Sequence, residues 1–359
     1  MSSEHERELL ARIALRQSLP RPAARRLLEA FGSARRAFAA PASELRARFA
    51  PALAQRIGQG ADWGAAGREL ERALRGEMRC LLPEDAEFPP ALRRIPDPPL
   101  LLYVRGSLPP GPALAIVGSR KASERTRERT RRWAADLAAR GVVVVSGLAY
   151  GVDAAAHLGA LDGGGRTLAV LASGLDRPSP RGNRRLAERI LDQAGAWLSE
   201  QPPGQASLPH QFPERNRLIS GLAQASLIVE ARVASGTLWT ARHALEQGRE
   251  VLVVPGPVET PGCRGSNELL RDGATPVLEE ADLRYAVLGK AGPEPAPRPP
   301  ADPLLAALGN GPRDADELGR ELRLAPAELS ARLLEMELAG RIERRGSRVA
   351  LVPGGSATL

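Results

Sequence analysis

Cysteine, lysine and aromatic side chains are all scarce in this 359-residue chain. Two cysteines, Cys80 and Cys263, cannot build a disulfide framework or a metal cluster, and both are read as reduced thiols in a cytoplasmic protein. Lys121 and Lys290 are the only lysines, so arginine carries nearly all of a formal net charge of +8. No segment reaches the roughly 18 to 20 apolar residues of a membrane span, so no membrane partner is expected. The N-terminus, MSSEHERELLARIAL, mixes acids, bases and apolar residues and lacks the pattern of a secretory signal. A basic balance favours polyanions, nucleic acid before anionic lipid. The abundance of Arg, Ala, Gly and Pro also fits a GC-rich genome, so charge alone leaves the partner open.

What is present divides the chain into four stretches. Residues 1–78 read as an N-terminal helical domain, SAM/helix-hairpin-helix-like: ERELLARIALRQ has helical spacing, PRPAARRLLEAFG ends at Gly32, and Ser43 is a candidate N-cap in PASELRARFAPALAQRI. This unit suits either nucleic-acid or protein binding, or a packing cap on the next domain. Residues 79–287 begin with a Pro-rich extended segment in which LLLYVRG can be a strand. There follow strand ALAIVGS, helix SERTRERTRRWAADLAARG, strand VVVVSG, helix GVDAAAHLGALDGG, strand RTLAVLASG, helix GNRRLAERILDQAG and strand AWLSE. Strand ASLIVEA, helix TLWTARHALEQGR and strand EVLVVPG come later. Near-continuous apolar strands alternating with helices predict an α/β fold, a mostly parallel sheet covered on both faces, in an extended Rossmann-like arrangement. Residues 288–302 form a Pro/Ala/Gly linker. Residues 303–353 read as three helices and a hairpin turning at Arg345-Gly346, a winged-helix-like domain. Its third helix carries Glu328, Glu335 and Glu337 against Arg332, a poor face for phosphates, which favours a protein-interaction or packing role.

Ligands of open α/β sheets sit beyond the carboxyl ends of the strands, where loops and helix N-termini present N–H groups. Four such loops contain Gly and Ser: Gly118-Ser119-Arg120-Lys121, Ser146-Gly147 through Gly151, Ser173-Gly174, and Ser235-Gly236-Thr237. Together they predict a row of anion sites; singly, each is an ordinary tight turn. FPERNRLISGL adds Phe212 to stack on a base, Arg215 and Arg217 for charge and Asn216 for hydrogen bonding. His210, Gln211 and Pro213 suggest that Phe212 lies in a loop. The crevice reading requires Arg120 and Arg217 to lie together, free of buried acid partners.

Catalytic signatures are missing. The first turn, GSRKAS, is not G-x-G-x-x-G, and no acid ends the second strand for a ribose. No P-loop occurs, and His5, His157, His210 and His243 have no metal-ligand spacing; His157 and His243 read as structural. Ser235-Gly236-Thr237-Leu238 is similar to the turn of nucleoside monophosphate N-glycosidases, but Trp239, Thr240 and Ala241 stand where that class places its glutamate. No catalytic residue, metal or cofactor is expected, and the chain is read as a non-enzyme; the nucleotide-cleaving reading is the alternative.

IVGSRKAS, VVVVSGLAYGVDAAAHLGAL, LAVLASGLDRPSPRGNRRLAERI, FPERNRLISGLAQASLIVEA, SGTLWTARHALEQGREVLVVPG and RGSNELLRDGA resemble, in order, the motifs of the DNA-processing protein A (DprA/Smf) family. The resemblance implies a homodimer that binds single-stranded DNA with little sequence preference, protects incoming DNA in natural transformation and recombination, and helps load the RecA recombinase. Its DNA contacts would fall on Gly118, Ser119 and Arg120, on Phe212, Arg215, Asn216 and Arg217, and on Ser235 and Gly236. Lys121, Ser146 and Gly147 join them from the loop reading. Tyr150 departs from the family, which commonly has Arg there, and Trp239 replaces a commoner aliphatic residue.

Overall fold

The computed structural model describes residues 3–289, 303–308, 311–338 and 341–351. The apolar runs between helices become the middle of a nine-stranded sheet: β1 (Arg79–Leu81), β2 (Leu102–Gly106), β3 (Ala113–Gly118), β4 (Val143–Ser146), β5 (Thr167–Val170), β6 (Ala196–Ser199), β7 (Ala225–Val229), β8 (Glu250–Val254) and β9 (Thr275–Pro276). Their order is β1-β2-β6-β5-β4-β3-β7-β8-β9. From β6 to β9 every neighbour is parallel, whereas β2 pairs antiparallel with both β6 and β1. Every residue of β3 to β7 is buried, the pattern of strands covered on both faces. The antiparallel edge extends the parallel sheet, as the Rossmann-like reading expects.

Six helices precede the sheet: α1 (Ser3–Ser18), α2 (Arg21–Phe31), α3 (Ala34–Ala39), α4 (Ala42–Arg48), α5 (Pro51–Gly58) and α6 (Trp63–Arg75). Gly32 ends α2 in the left-handed conformation, at φ 75°, where glycine carries no Cβ penalty. Ser43 is not an N-cap; Pro41 precedes α4 and Ser43 lies inside its first turn. Leu9 and Ile13 of α1 and Leu70 of α6 share one core cluster with Tyr103 of β2 and Trp197 of β6. These helices therefore pack on the sheet through that cluster. In agreement, residues 1–294 form one unit and 295–359 another.

Within the first unit, α7 (Pro90–Arg93), α11 (Gln211–Leu222) and α12 (Gly236–Glu246) cover one face of the sheet through Leu92, Leu218, Ile219, Ala241 and Ala244. α8 (Glu124–Ala139), α9 (Val152–Asp162) and α14 (Glu280–Leu288) cover the other through Trp133, Leu137, Ala156 and Leu283. α10 (Arg184–Asp192) packs beside β6, and α13 (Arg264–Arg271) follows β8. Burying each such Leu or Trp contributes about 1.5–3 kcal/mol.

The second unit holds α15 (Pro303–Leu308), β10 (Arg313–Asp314), α16 (Ala315–Leu322), α17 (Pro326–Leu338), β11 (Ile342–Arg345) and β12 (Arg348–Leu351). Its core is Leu304, Leu308, Leu318, Leu333, Met336, Ile342 and Val349. Arg345 pairs with Arg348, so the hairpin turns at Gly346-Ser347, one residue later than expected; Gly346 supplies the positive φ of 65°. Among the described residues no helix is long and apolar enough to cross a membrane.

Candidate nucleic-acid interface

The winding of the sheet reverses at β3, which has β4 on one side and β7 on the other. Such a switch point is where open α/β sheets bind ligands, beyond the carboxyl ends of the strands. A cleft of about 260 Å³ opens there. Its first wall is the loop after β3. A Cβ on Gly118 would overlap the carbonyl oxygen of Val229, so this glycine lets β3 approach β7. Ser119 donates its N–H to Val229 O at 3.2 Å and accepts from Val152 N at 3.2 Å. Its hydroxyl oxygen accepts from Lys121 N at 3.1 Å, leaving the hydroxyl proton to donate. Arg120 is exposed, with its guanidinium carbon 5.2 Å from the centre of the Phe212 ring.

Phe212 lies in the first turn of α11, not in a loop; Pro213 is tolerated there because N–H groups of the first turn have no intrahelical partner. Helical periodicity then sorts the segment. Phe212, Arg215, Asn216 and Ile219, at i, i+3, i+4 and i+7, all line the cleft. Arg217 is off that stripe. Its Nη2 lies 2.5 Å from Glu200 and its Nε 3.3 Å from Asp97, with the side chain only 5% exposed. Arg217 thus fails both conditions set for it: it does not border the cleft, and its charge is committed to acids.

Arg215 borders the cleft but is also committed. It donates through Nη1 to Gly147 O at 2.9 Å and to Val170 O, and through Nε to Asn216 Oδ1 at 3.1 Å. Burial lowers its pKa to about 10, against the opposing pull of Asp153. Asp153 is buried too, which raises its pKa, and it accepts from Gly147 N at 3.1 Å and Ala149 N at 3.4 Å. A Cβ on Gly147 would come 2.6 Å from the Arg215 guanidinium. Ser146 donates to Ile116 O at 2.6 Å. Ser146 and Gly147 therefore stand behind the wall, in the framework that holds Arg215, and do not line the cleft. Ser173 is similarly used, donating to Arg177 O at 2.8 Å. Two of the four expected loops open fully on the cleft, and the second contributes only Ala149, with Asp153 following from the first turn of α9.

The loop after β7 provides the opposite wall. Ser235 precedes α12, yet its hydroxyl caps no N–H and, among the described residues, is buried without a hydrogen-bond partner; the Thr240 hydroxyl is in the same state. Gly236 has open space where a Cβ would stand. Asn216 donates to Gly236 O at 3.0 Å, so its amide positions this loop rather than reading a base. Thr237 donates to Gly118 O at 3.2 Å, tying the two walls together. The N-terminal residues of this eleven-residue helix thus line the cleft, and a helix N-terminus favours an anion.

Arg232 and Glu230 also line the cleft and were missed. They flank Ala231 just past the end of β7, where the strand-end rule points, ahead of Ser235 and Gly236. Glu230 and Ala234 adopt φ of 55° and 58°, uncommon for residues with a Cβ. Arg120, Lys121 and Arg232 form no ion pair among the described residues. Tyr150 is exposed outside the cleft and packs towards Gly182. His157 is structural, as expected: Nδ1 lies 2.7 Å from Thr167 Oγ1, and burial pushes its pKa down to about 3. Cys80 and Cys263 are free and buried, and the described residues contain no group of three or more His, Cys, Asp or Glu placed to hold a metal.

Residues 79–287 match the family model described as DNA recombination-mediator protein A, and residues 289–347 match that of the DprA winged helix domain. The chain is 41% identical over 295 residues to Protein Smf of Escherichia coli, covering 78% of this chain and 77% of that one. It is 37% identical over 331 residues to a putative DNA processing protein DprA of Mycobacterium tuberculosis, covering 85% of each. The structure is similar to DNA processing protein A from Streptococcus pneumoniae, with TM-score 0.59 and 33% identity over 66% of this chain and 82% of that one. It is also similar to DNA processing protein A from Helicobacter pylori, with TM-score 0.51 and 30% identity over 58% of this chain and 94% of that one. The Helicobacter pylori structure is described in terms of a single-stranded DNA binding mode.

Proposed function

Because the chain belongs to the DNA recombination-mediator protein A (DprA/Smf) family, we propose that the β3–β7 cleft binds single-stranded DNA and catalyses no reaction on it. The observation that carries this reading is one of adjacency. The N-terminus of α12 lines the same cleft as an aromatic ring topped by an unpaired guanidinium. The first suits a phosphate and the second a base, and consecutive nucleotides present both. Gly118, Ser119, Arg120, Lys121, Phe212, Ser235 and Gly236 are the contacts on this reading, with Arg232 added. Arg215 and Asn216 hold the walls, and Ser146, Gly147 and Arg217 make no contact.

The family resemblance extends the proposal to a cytoplasmic homodimer that protects incoming DNA and helps load RecA. Sedimentation of the free protein, and a RecA strand-exchange assay with and without it, test those two steps separately. Binding itself is tested by titrating fluorescent oligothymidylate against wild type and an Arg120→Ala, Arg232→Ala double variant. Retention of full affinity by the variant removes the cleft from the account. The nucleotide-cleaving alternative draws some support from Glu230, an acid on the cleft wall. Release of free base from nucleoside monophosphates would establish it.

A further inference from the structure

α8 starts three residues after Lys121, and Arg125, Arg129 and Arg132 follow along it at spacings of four and three, which sets them on one helix face. Arg125 and Arg132 are exposed and Arg129 is half-buried. Among the described residues none of the three forms an ion pair, and Arg129 Nε is buried without a hydrogen-bond partner. The arginines between them are treated differently: Arg127 pairs with Glu124 and Arg131 with Asp162. One helix therefore neutralises the cations on one flank and leaves those on the other unpaired. That arrangement opposes folding, since like charges one turn apart repel. Burial, and then the neighbouring Arg125, lower the pKa of Arg129, which is also sensitive to Glu230 on the cleft wall. Arg132, at the far end, acts on Glu280 of α14. The row thus leads away from the cleft over about 10 Å of helix, at 1.5 Å per residue.

We propose that Arg125, Arg129 and Arg132 form a phosphate track that carries a single strand onward from the cleft along α8. This rests on the single-stranded DNA reading of the cleft. Along the track the nearby aromatic, Trp133, is buried beneath the Arg129 guanidinium at 5.3 Å, so no ring is offered to a base. The track therefore adds salt-sensitive affinity without base stacking, and only for strands long enough to reach it.

The test uses the full chain, a tetranucleotide and a dodecanucleotide of thymidine, and the triple variant Arg125→Gln, Arg129→Gln, Arg132→Gln. Tetranucleotide affinity stays unchanged, and dodecanucleotide affinity falls. Three neutralised phosphates lower the dodecanucleotide log–log salt slope by about 2, so a fourfold rise in salt weakens wild type about 18-fold more than the variant. The triple Lys variant at the same positions restores the slope. An equal charge loss at Arg26, Arg46 and Arg56, exposed on the N-terminal helices, leaves it intact. An unchanged dodecanucleotide slope in the Gln variant, with the tetranucleotide still bound by wild type, overturns the track and spares the cleft. If wild type binds neither oligonucleotide, cleft and track both fall.

Discussion

Arg215 and Arg217 stand two residues apart on α11, and both are nearly inaccessible, yet they serve different regions. Arg215 braces the cleft by holding the carbonyls of Gly147 and Val170 above the buried Asp153. Arg217 turns the other way and joins Arg21, Asp97 and Glu200 in an ion cluster that ties α2 and the segment before β2 to the end of β6. Neither has a cation left for a phosphate. Arg120, Lys121 and Arg232 lie exposed on the cleft loops and form no ion pair among the described residues. Buried arginine on α11 organises the fold, and the exposed loop cations are left unpaired.

The largest expected effect is at Arg215. Arg215→Ala leaves a buried carboxylate without its cation and two carbonyls without a donor, which costs roughly 3–5 kcal/mol. Urea denaturation measures that loss, and single-strand binding should disappear with it because the cleft wall is no longer held. Arg217→Ala should also destabilise, by about 2 kcal/mol, discounted because Asp97 and Glu200 are partly exposed. At a temperature where the variant is folded, however, its affinity for oligothymidylate and its salt slope should equal those of wild type. A reduced slope would return Arg217 to the DNA surface and erase the distinction between the two regions.

This distinction marks where sequence reasoning stopped. The sheet was legible because strands covered on both faces are written as unbroken apolar runs, and the cleft followed from the rule that places ligands at strand ends. The cleft residues of α11 were not sorted, because three polar or helix-breaking neighbours made Phe212 look like part of a loop. Begun at Gln211, the helical period separates Phe212, Arg215 and Asn216 from Arg217 without any structure. Other features had no local signal. β1 and β10 are two or three residues long and exist only through distant partners. That Ser146 donates inward to Ile116, and that Gly147 makes room for an arginine 68 residues later, are facts of tertiary packing.

Within the cleft, stacking and charge can be separated. Phe212→Ala should weaken oligothymidylate binding by about 1–3 kcal/mol, or roughly 5- to 150-fold, with little change in salt slope. Arg120→Ala should act mainly on the slope, lowering it by about 0.7, so that a fourfold rise in salt costs the variant about 2.6-fold less affinity than wild type. If Phe212→Ala flattened the slope as much as Arg120→Ala, the ring would be acting only as a platform for the guanidinium, and base stacking would leave the account.

The smallest effect is expected from removing residues 303–359. This unit has the winged-helix pattern of a DNA reader, but three of its arginines resemble the ion cluster around Arg217 more than the cleft. On α17, Arg332 is paired with Glu328 at 3.1 Å, and Glu337 holds Arg344 of β11 at 2.7 Å. Arg313 is paired with Glu321 at 2.7 Å. Releasing these arginines to phosphates would strand their acids beside a polyanion, so these three gain little from DNA. Single-strand affinity and salt slope of the truncated chain should therefore stay within twofold of the full chain in the same titration. A tenfold loss would mean that the paired arginines exchange their acids for phosphates, and that commitment to an acid, which excludes Arg217 from the DNA surface by burial, excludes nothing when the pair is exposed.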